Sequence, residues 1–255
     1  MAAELLDSAR VALACLDLTS LNDADDVRAI DALCERAVSP YGNVAAVCVW
    51  PRFVAQACRA LPSAVRVAAV ANFPHGALDR DLALADSAAI AAAGGDEIDL
   101  VLPWRAWAAG QCAACSAFVA TVRRAHPALT LKLILESGEL GDEASITSAS
   151  TMALDEGVDF IKTSTGKTPV SATPAAARTM LAAIAAHSRH ASVGFKASGG
   201  IRTVAEASLY IELTRAALGP VTARNFRLGA SALMSDILAR LSGAASSGAP
   251  PTAAY

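Results

Sequence analysis

Four lysines carry the first chemical signal. Of the 21 basic side chains only Lys132, Lys162, Lys167 and Lys196 are lysine, and all the others are arginine. A guanidinium stays charged at working pH, so arginine supplies surface charge but cannot replace an amine that must lose a proton. Lys162 ends the apolar run Asp159-Phe-Ile-Lys162, and Lys196 ends the next one, Val193-Gly-Phe-Lys196. On consecutive parallel strands these two amines are neighbours. Two ammonium groups brought together in a partly dry site disfavour each other's charged form, and desolvation acts the same way. An amine left neutral attacks carbonyls and gives a Schiff base. Buried lysines also occur as plain members of ion networks. Residue type alone leaves Lys162 and Lys196 tied as the nucleophile.

The carboxylate to match them is Asp99, in Asp96-Glu-Ile-Asp99-Leu-Val. On a strand of period two, Ile98 and Leu100 share one face and Asp99 takes the other, where it could hold one amine charged and relay protons. Asp17, in Cys15-Leu-Asp17-Leu-Thr19, is placed similarly. Lys132 and Glu136 share a strand face and read as mates in a structural ion pair. Three glycine turns follow late strands: Gly166-Lys167, Gly199-Gly200-Ile201-Arg202 and Gly229-Ala230-Ser231. Glycines let backbone N–H groups approach an anion, and helix N-termini add a favourable dipole. Together they read as a site for a phosphorylated small molecule. The four histidines show no metal-ligand spacing, so no cofactor is expected. Cys112 and Cys115 form a CxxC with no second pair, which reads as part of a helix.

These residues need a frame, and the chain supplies a regular one. Apolar runs at 14–19, 44–50, 65–72, 97–102, 129–137, 160–164, 192–197 and 226–230 alternate with alanine-rich stretches at 24–38, 52–60, 79–93, 111–125, 142–155, 173–187, 203–217 and 231–241. Thr173-Pro174 and the Thr203-x-x-Glu206 capping box mark helix starts. Eight strand–helix units in 255 residues predict a (β/α)8 TIM barrel, with a short N-terminal helix before it. Residues 1–241 read as a single barrel catalytic domain. Residues 242–255, rich in Gly, Ala, Ser and Pro, read as a flexible C-terminal tail ending in Tyr255. A doubly wound sheet would want a Gly-x-Gly-x-x-Gly after an early strand, and none is present. In such barrels chemistry sits at the C-terminal ends of the strands, where both catalytic lysine candidates fall.

Composition narrows the function. A net charge of -3 excludes a general nucleic-acid surface. With 54% hydrophobic and 18% charged residues, the chain is no disordered protein. Its apolar runs are too short to span a membrane. Six dispersed cysteines and an N-terminus without a secretory pattern predict reduced thiols and a cytoplasmic protein.

With these residues in place, the chain resembles the deoxyribose-phosphate aldolases, class I (Schiff-base) aldolases. The matching stretches include Asp17-Leu-Thr-Ser-Leu-Asn22, Cys48-Val-Trp-Pro-Arg-Phe53, Asn72-Phe-Pro-His-Gly76, Asp96-Glu-Ile-Asp99, Glu136-Ser-Gly-Glu139, Asp159 to Lys167, Gly194-Phe-Lys196, Gly199-Gly-Ile-Arg202 and Arg227-Leu-Gly-Ala-Ser231. The resemblance implies that Lys162 forms the Schiff base, with Lys196 as the cation beside it and Asp99 as the carboxylate of a proton relay. Lys167, Gly166, Gly199, Gly200, Gly229 and Ser231 would hold the phosphate. Thr19, Asn22, Cys48 and Thr165 join Asp17 and Lys132 as accessory positions, and Tyr255 would assist proton transfer. The implied reaction is reversible cleavage of 2-deoxy-D-ribose 5-phosphate into D-glyceraldehyde 3-phosphate and acetaldehyde, without a metal. Dimers are common among such barrels, so a homodimer is the assembly to test. The chain departs from the family at Ala197-Ser198, where Pro-Ala is more frequent. It departs again at Ala232, where a serine is expected, so one possible phosphate hydroxyl is missing. The rival readings are a sugar-phosphate isomerase, which would form no amine adduct, and a non-catalytic sensor, which need not keep Lys162, Lys196 and Asp99 together.

Overall fold

A computed structural model describes residues 2–243. Tyr255 and the rest of 244–255 lie outside the described residues. Eight parallel strands close into a barrel: β1 (Leu16–Thr19), β2 (Ala46–Val49), β3 (Arg66–Ala71), β4 (Glu97–Val101), β5 (Thr130–Ile134), β6 (Phe160–Lys162), β7 (Gly194–Ser198) and β8 (Phe226–Ala230), with β8 pairing back to β1. The barrel read from the sequence is the barrel observed, and each strand lies within its expected run except β7, which extends one residue beyond it to Ser198.

The helices form where the caps and alanines put them. Asp26, Asp79, Asp142, Thr173 and Thr203 each accept a bond from the backbone N–H three residues on, which satisfies one of the open donors of a helix start. Gly94 and Gly157 stop helices with φ of 87° and 81°, a left-handed conformation that costs glycine little. The N-terminal helix Ala2–Ala14 packs on the last two, Val204–Leu218 and Leu233–Leu241. The stretch expected as one helix from 52 is a 3-10 turn, Pro51–Phe53, followed by the helix Val54–Ala60. Two short helices, Trp104–Ala108 and Ser137–Leu140, were not expected.

Strand alternation sorts the side chains into two sets. Leu16, Leu18, Val47, Val49, Val67, Ile98, Leu100, Leu131, Leu133, Ile161, Phe195 and Leu228 join the large core between sheet and helices. The alternate positions face the barrel axis. On β2 and β3 these are Cys48, Ala68 and Val70, a small separate apolar cluster with Leu21. On the remaining strands they include Asp17, Glu97, Asp99, Lys132, Lys162, Lys196 and Arg227, all buried. The barrel axis is therefore charged along one side and apolar along the other.

Candidate active site

Register brings the charges together. Asp99 of β4 lies beside Lys132 of β5, and Lys162 of β6 beside Lys196 of β7, which lies beside Arg227 of β8. Lys162 Nζ donates to Asp99 Oδ2 at 2.8 Å, and Lys196 Nζ donates to the same oxygen at 2.7 Å. Lys196 also reaches Asp17 Oδ2 at 2.5 Å. Lys132 sits among three carboxylates: Glu97 at 2.5 Å, Asp99 at 2.9 Å and Asp17 at 3.1 Å. Lys162, Lys196 and Lys132 thus have one, two and three carboxylate partners.

Lys132 and Glu136 are not mates. A strand rises about 3.3 Å per residue, so positions four apart are separated by roughly 13 Å, beyond the reach of a lysine. β5 also ends at Ile134, and Glu136 turns out of it with φ 56°. Its carboxylate instead accepts from Thr165 Oγ1 at 2.6 Å, from the Thr165 backbone N–H, and from Thr168 Oγ1 at 3.1 Å. It clasps the loop that carries Gly166 and Lys167.

The electrostatics follow from these contacts. Burial alone would raise the Asp17 and Asp99 carboxyls, but the ammonium groups around them outweigh it and hold both well below the usual range. Burial would lower the Lys132 amine, but Asp17, Asp99 and Glu97 hold it well above its ordinary value. The Cys48 thiol, 4.0 Å from Asp99 Oδ2, is pushed up to about 11 by burial and then by Asp99. Burial raises the Glu136 carboxyl against the hydrogen bonds it accepts.

At the C-terminal ends of β6 to β8 opens a cavity of about 490 Å³, whose lining does not include Lys162, Lys196 or Asp99. Gly166, Gly199, Gly200, Gly229, Ser231 and Arg202 line it. At Gly199 (φ 87°) a Cβ would lie 2.6 Å from the Cβ of Ser171, so only glycine lets the loops meet there. At Gly229 a Cβ would stand 3.1 Å from Lys196 Cε and 2.6 Å from Ser198 Oγ. That glycine leaves room for the lysine as well as lining the cavity. Lys167 does not line the cavity. Its amine donates to the Leu21 carbonyl at 2.9 Å, on the β1 side of the mouth. Thr19 Oγ1 donates to the Asp17 carbonyl at 2.8 Å, and Asn22 is held by Asp25, with Nδ2 to Oδ1 at 3.1 Å.

Sequence reasoning missed the part that four residues play here. Glu97 and Arg227 belong to the buried network: Arg227 donates to Asp17 Oδ1 at 2.6 Å and to Glu97 Oε1 at 2.8 Å. Their signal was position, since each stands two residues before a site residue on the same strand face. Arg202 stood within a glycine motif but was given no role. Glu136 was given the wrong partner. Among the described residues no group of three or more His, Cys, Asp and Glu side chains could hold a metal ion, and no helix is long and apolar enough to cross a membrane. All six cysteines are unpaired, with Cys112 and Cys115 on the helix Cys112–Ala125.

Comparison with known proteins places this geometry in context. The family model of the DeoC/LacD family aldolases matches residues 11–229. The deoxyribose-phosphate aldolase of Agrobacterium fabrum is 46% identical over 242 residues, 93% of each chain. Among solved structures, an aldolase designated QR15 superposes with a TM-score of 0.77 at 25% identity, over 90% of this chain and 96% of its own. A tetrameric deoxyribose phosphate aldolase from Aeropyrum pernix shares the fold, with a TM-score of 0.73 at 21% identity over 94% and 97% of the two chains.

Proposed function

The chain belongs to the DeoC/LacD aldolase family, and from that premise we propose that it cleaves 2-deoxy-D-ribose 5-phosphate reversibly into D-glyceraldehyde 3-phosphate and acetaldehyde, through a Schiff base on Lys162. One observation carries the assignment of residues. Lys162 and Lys196, from adjacent strands, share a single oxygen of Asp99, and Lys196 packs against Gly229 of a glycine-walled cavity.

Contact geometry supports Lys162 over Lys196 as the nucleophile. The nucleophile must be uncharged when it attacks. Lys196 is held by two carboxylates and Lys162 by one, so we assign the attack to Lys162. Its nitrogen attacks C1 of the open-chain sugar, and loss of water leaves a protonated imine. That cation draws in the electron pair as the C2–C3 bond breaks and the 3-hydroxyl gives up its proton. Glyceraldehyde 3-phosphate leaves, and the enamine takes a proton at C2 before water releases acetaldehyde. The imine nitrogen is the electron sink, so the route calls for no metal. Asp99, kept a carboxylate by its ammonium neighbours, is a poor base. We assign it the hub through which Lys162 and Lys196 exchange a proton.

For the phosphate we assign the amides of Gly166 and Gly200, the Ser231 hydroxyl and the Arg202 guanidinium, with Gly199, whose amide donates to the Gly229 carbonyl, shaping the wall. Lys167 is a second cation, tethered across the mouth. Glycine loops that expose backbone amides suit this anion; the N–H groups at the start of the helix Val204–Leu218 are taken by Glu206 and Asp236 instead.

The test is chemical. Treatment with acetaldehyde and borohydride, followed by peptide mass spectrometry, should find a reduced adduct on Lys162. The Lys162→Arg variant should form none and should lose several orders of magnitude in cleavage rate while remaining folded. An adduct on another lysine, or near-normal turnover in the variant, would overturn the assignment.

A further inference from the structure

Glu97 and Arg227 take no part in the reaction as derived, yet they are wired to it. Arg227 binds Glu97 and Asp17, Glu97 binds Lys132, Lys132 binds Asp99, and Asp99 binds Lys162. Both stand two residues before a site residue on their strands, one layer nearer the N-terminal ends of the barrel. Both are almost wholly buried, 2% and 6% exposed. Charges in such a place act on one another through protein rather than through salt water, with little screening.

We propose that the Glu97–Arg227 pair is an electrostatic positioning element that sets the pH at which Lys162 becomes reactive, without touching substrate. The proposal rests on the assignment of Lys162 as the nucleophile. The ion-paired chain holds four cations, Lys132, Lys162, Lys196 and Arg227, against three carboxylates, Asp17, Glu97 and Asp99. The excess of one cation favours an uncharged amine somewhere in the chain. Arg227 cannot supply it, because a guanidinium keeps its proton. Lys132, among three carboxylates, is held charged. Removing Glu97 would raise that excess, and removing Arg227 would abolish it. The other titratable groups that face Lys162 come from every side of the barrel. Asp99 faces it from β4, Lys196 from β7, Lys132 from β5 and Asp17 from β1. The Cys48 thiol on β2 stays protonated. The Glu136 carboxylate, tied to Thr165 and Thr168, acts on Lys162 through space without an ion pair, and does so equally in every variant below.

The pair can be tested by opposite signs. Imine formation with acetaldehyde, trapped with cyanoborohydride and followed by mass spectrometry against pH, reports the neutral amine, and acetaldehyde has no titrating group of its own. Glu97→Gln removes a negative charge, so the acid limb of the rate profile should move to lower pH, by on the order of one unit. Arg227→Gln removes a positive charge, and the limb should move to higher pH by a similar amount. The double variant should return to the original profile. Arg227→Lys keeps the charge and loses the fork, so its limb should stay in place even if the protein melts earlier. A purely structural pair would move both single variants the same way or neither. That result, or a double variant whose limb stays displaced, overturns the proposal. Should one single variant fail to fold, the sign of the displacement in the other decides it. Absence of an adduct in the unmodified protein at every pH would overturn the Lys162 reading and this one with it. An adduct with undisplaced limbs overturns this one alone.

Discussion

Arg202 is a cation on the wall of the cavity, whereas Lys167 spends its amine on a backbone carbonyl across the mouth. The difference orders their effects on substrate binding. A hydrogen bond to a charged group contributes more than a neutral one. Arg202→Ala should therefore raise KM for 2-deoxyribose 5-phosphate on the order of 10-fold or more and leave KM for unphosphorylated 2-deoxyribose nearly unchanged. Lys167→Ala should show the same selectivity with a smaller change. Steady-state kinetics on both sugars check this, and equal effects on the two would remove the phosphate role. The lysines stood out in the sequence because the chain uses arginine everywhere else, so a retained amine was informative. Arginine's ubiquity hid Arg202 and Arg227 for the same reason: nothing in their type separated them from surface charge. Partners were harder to read than residues. Asp99 meets Lys132 because β4 and β5 are in register, and Lys132 meets Asp17 across the barrel, contacts that no linear spacing encodes.

The helix Val204–Leu218 ties local sequence to the site. Thr203 accepts from the Glu206 backbone, while the Glu206 carboxylate accepts from Thr203 N at 2.9 Å and from Arg202 N at 2.8 Å. This capping box fixes the turn that presents Arg202 and Gly200 to the cavity. Thr203→Ala should lower stability by about 0.5–2 kcal/mol, read by denaturant titration. It should also raise KM for the phosphorylated sugar while the rate of adduct formation with acetaldehyde holds. A fall in adduct formation of the same size would mean that the helix start supports the whole barrel and not the phosphate side. This box was readable because its four residues are contiguous. The helices Trp104–Ala108 and Ser137–Leu140 were not, because a single turn is too short to show a 3.6-residue period. Missing the second of them misplaced Glu136. The run from 129 was read as strand to 137, but it stops at Ile134 and the backbone turns left-handed at Glu136, which aims the carboxylate at the loop after β6.

At the scale of the whole molecule, the barrel axis is a buried electrolyte, and its stability should depend on pH at both ends. Asp17 and Asp99 have carboxyls held well below their ordinary values in the folded state. Their contribution is fully present above about pH 4, the unfolded carboxylate value, and is lost as pH falls through the folded one. Lys132 is held above its ordinary value, so its contribution is present below about pH 10.4 and is lost as pH rises further. Tm should form a plateau between these limits and fall on either side. Lys132 sits where three carboxylates converge, and removing one partner of a buried ion pair leaves charge uncompensated. Lys132→Met should therefore cost about 3–5 kcal/mol at neutral pH. Its deficit should shrink as pH falls, because the carboxylates it strands can then take up protons, which returns them to neutrality at lower cost. Calorimetry from pH 4 to 9 on both proteins checks this. A variant whose deficit is the same at every pH would show that Lys132 fills space in the barrel and that its charge is incidental to the fold.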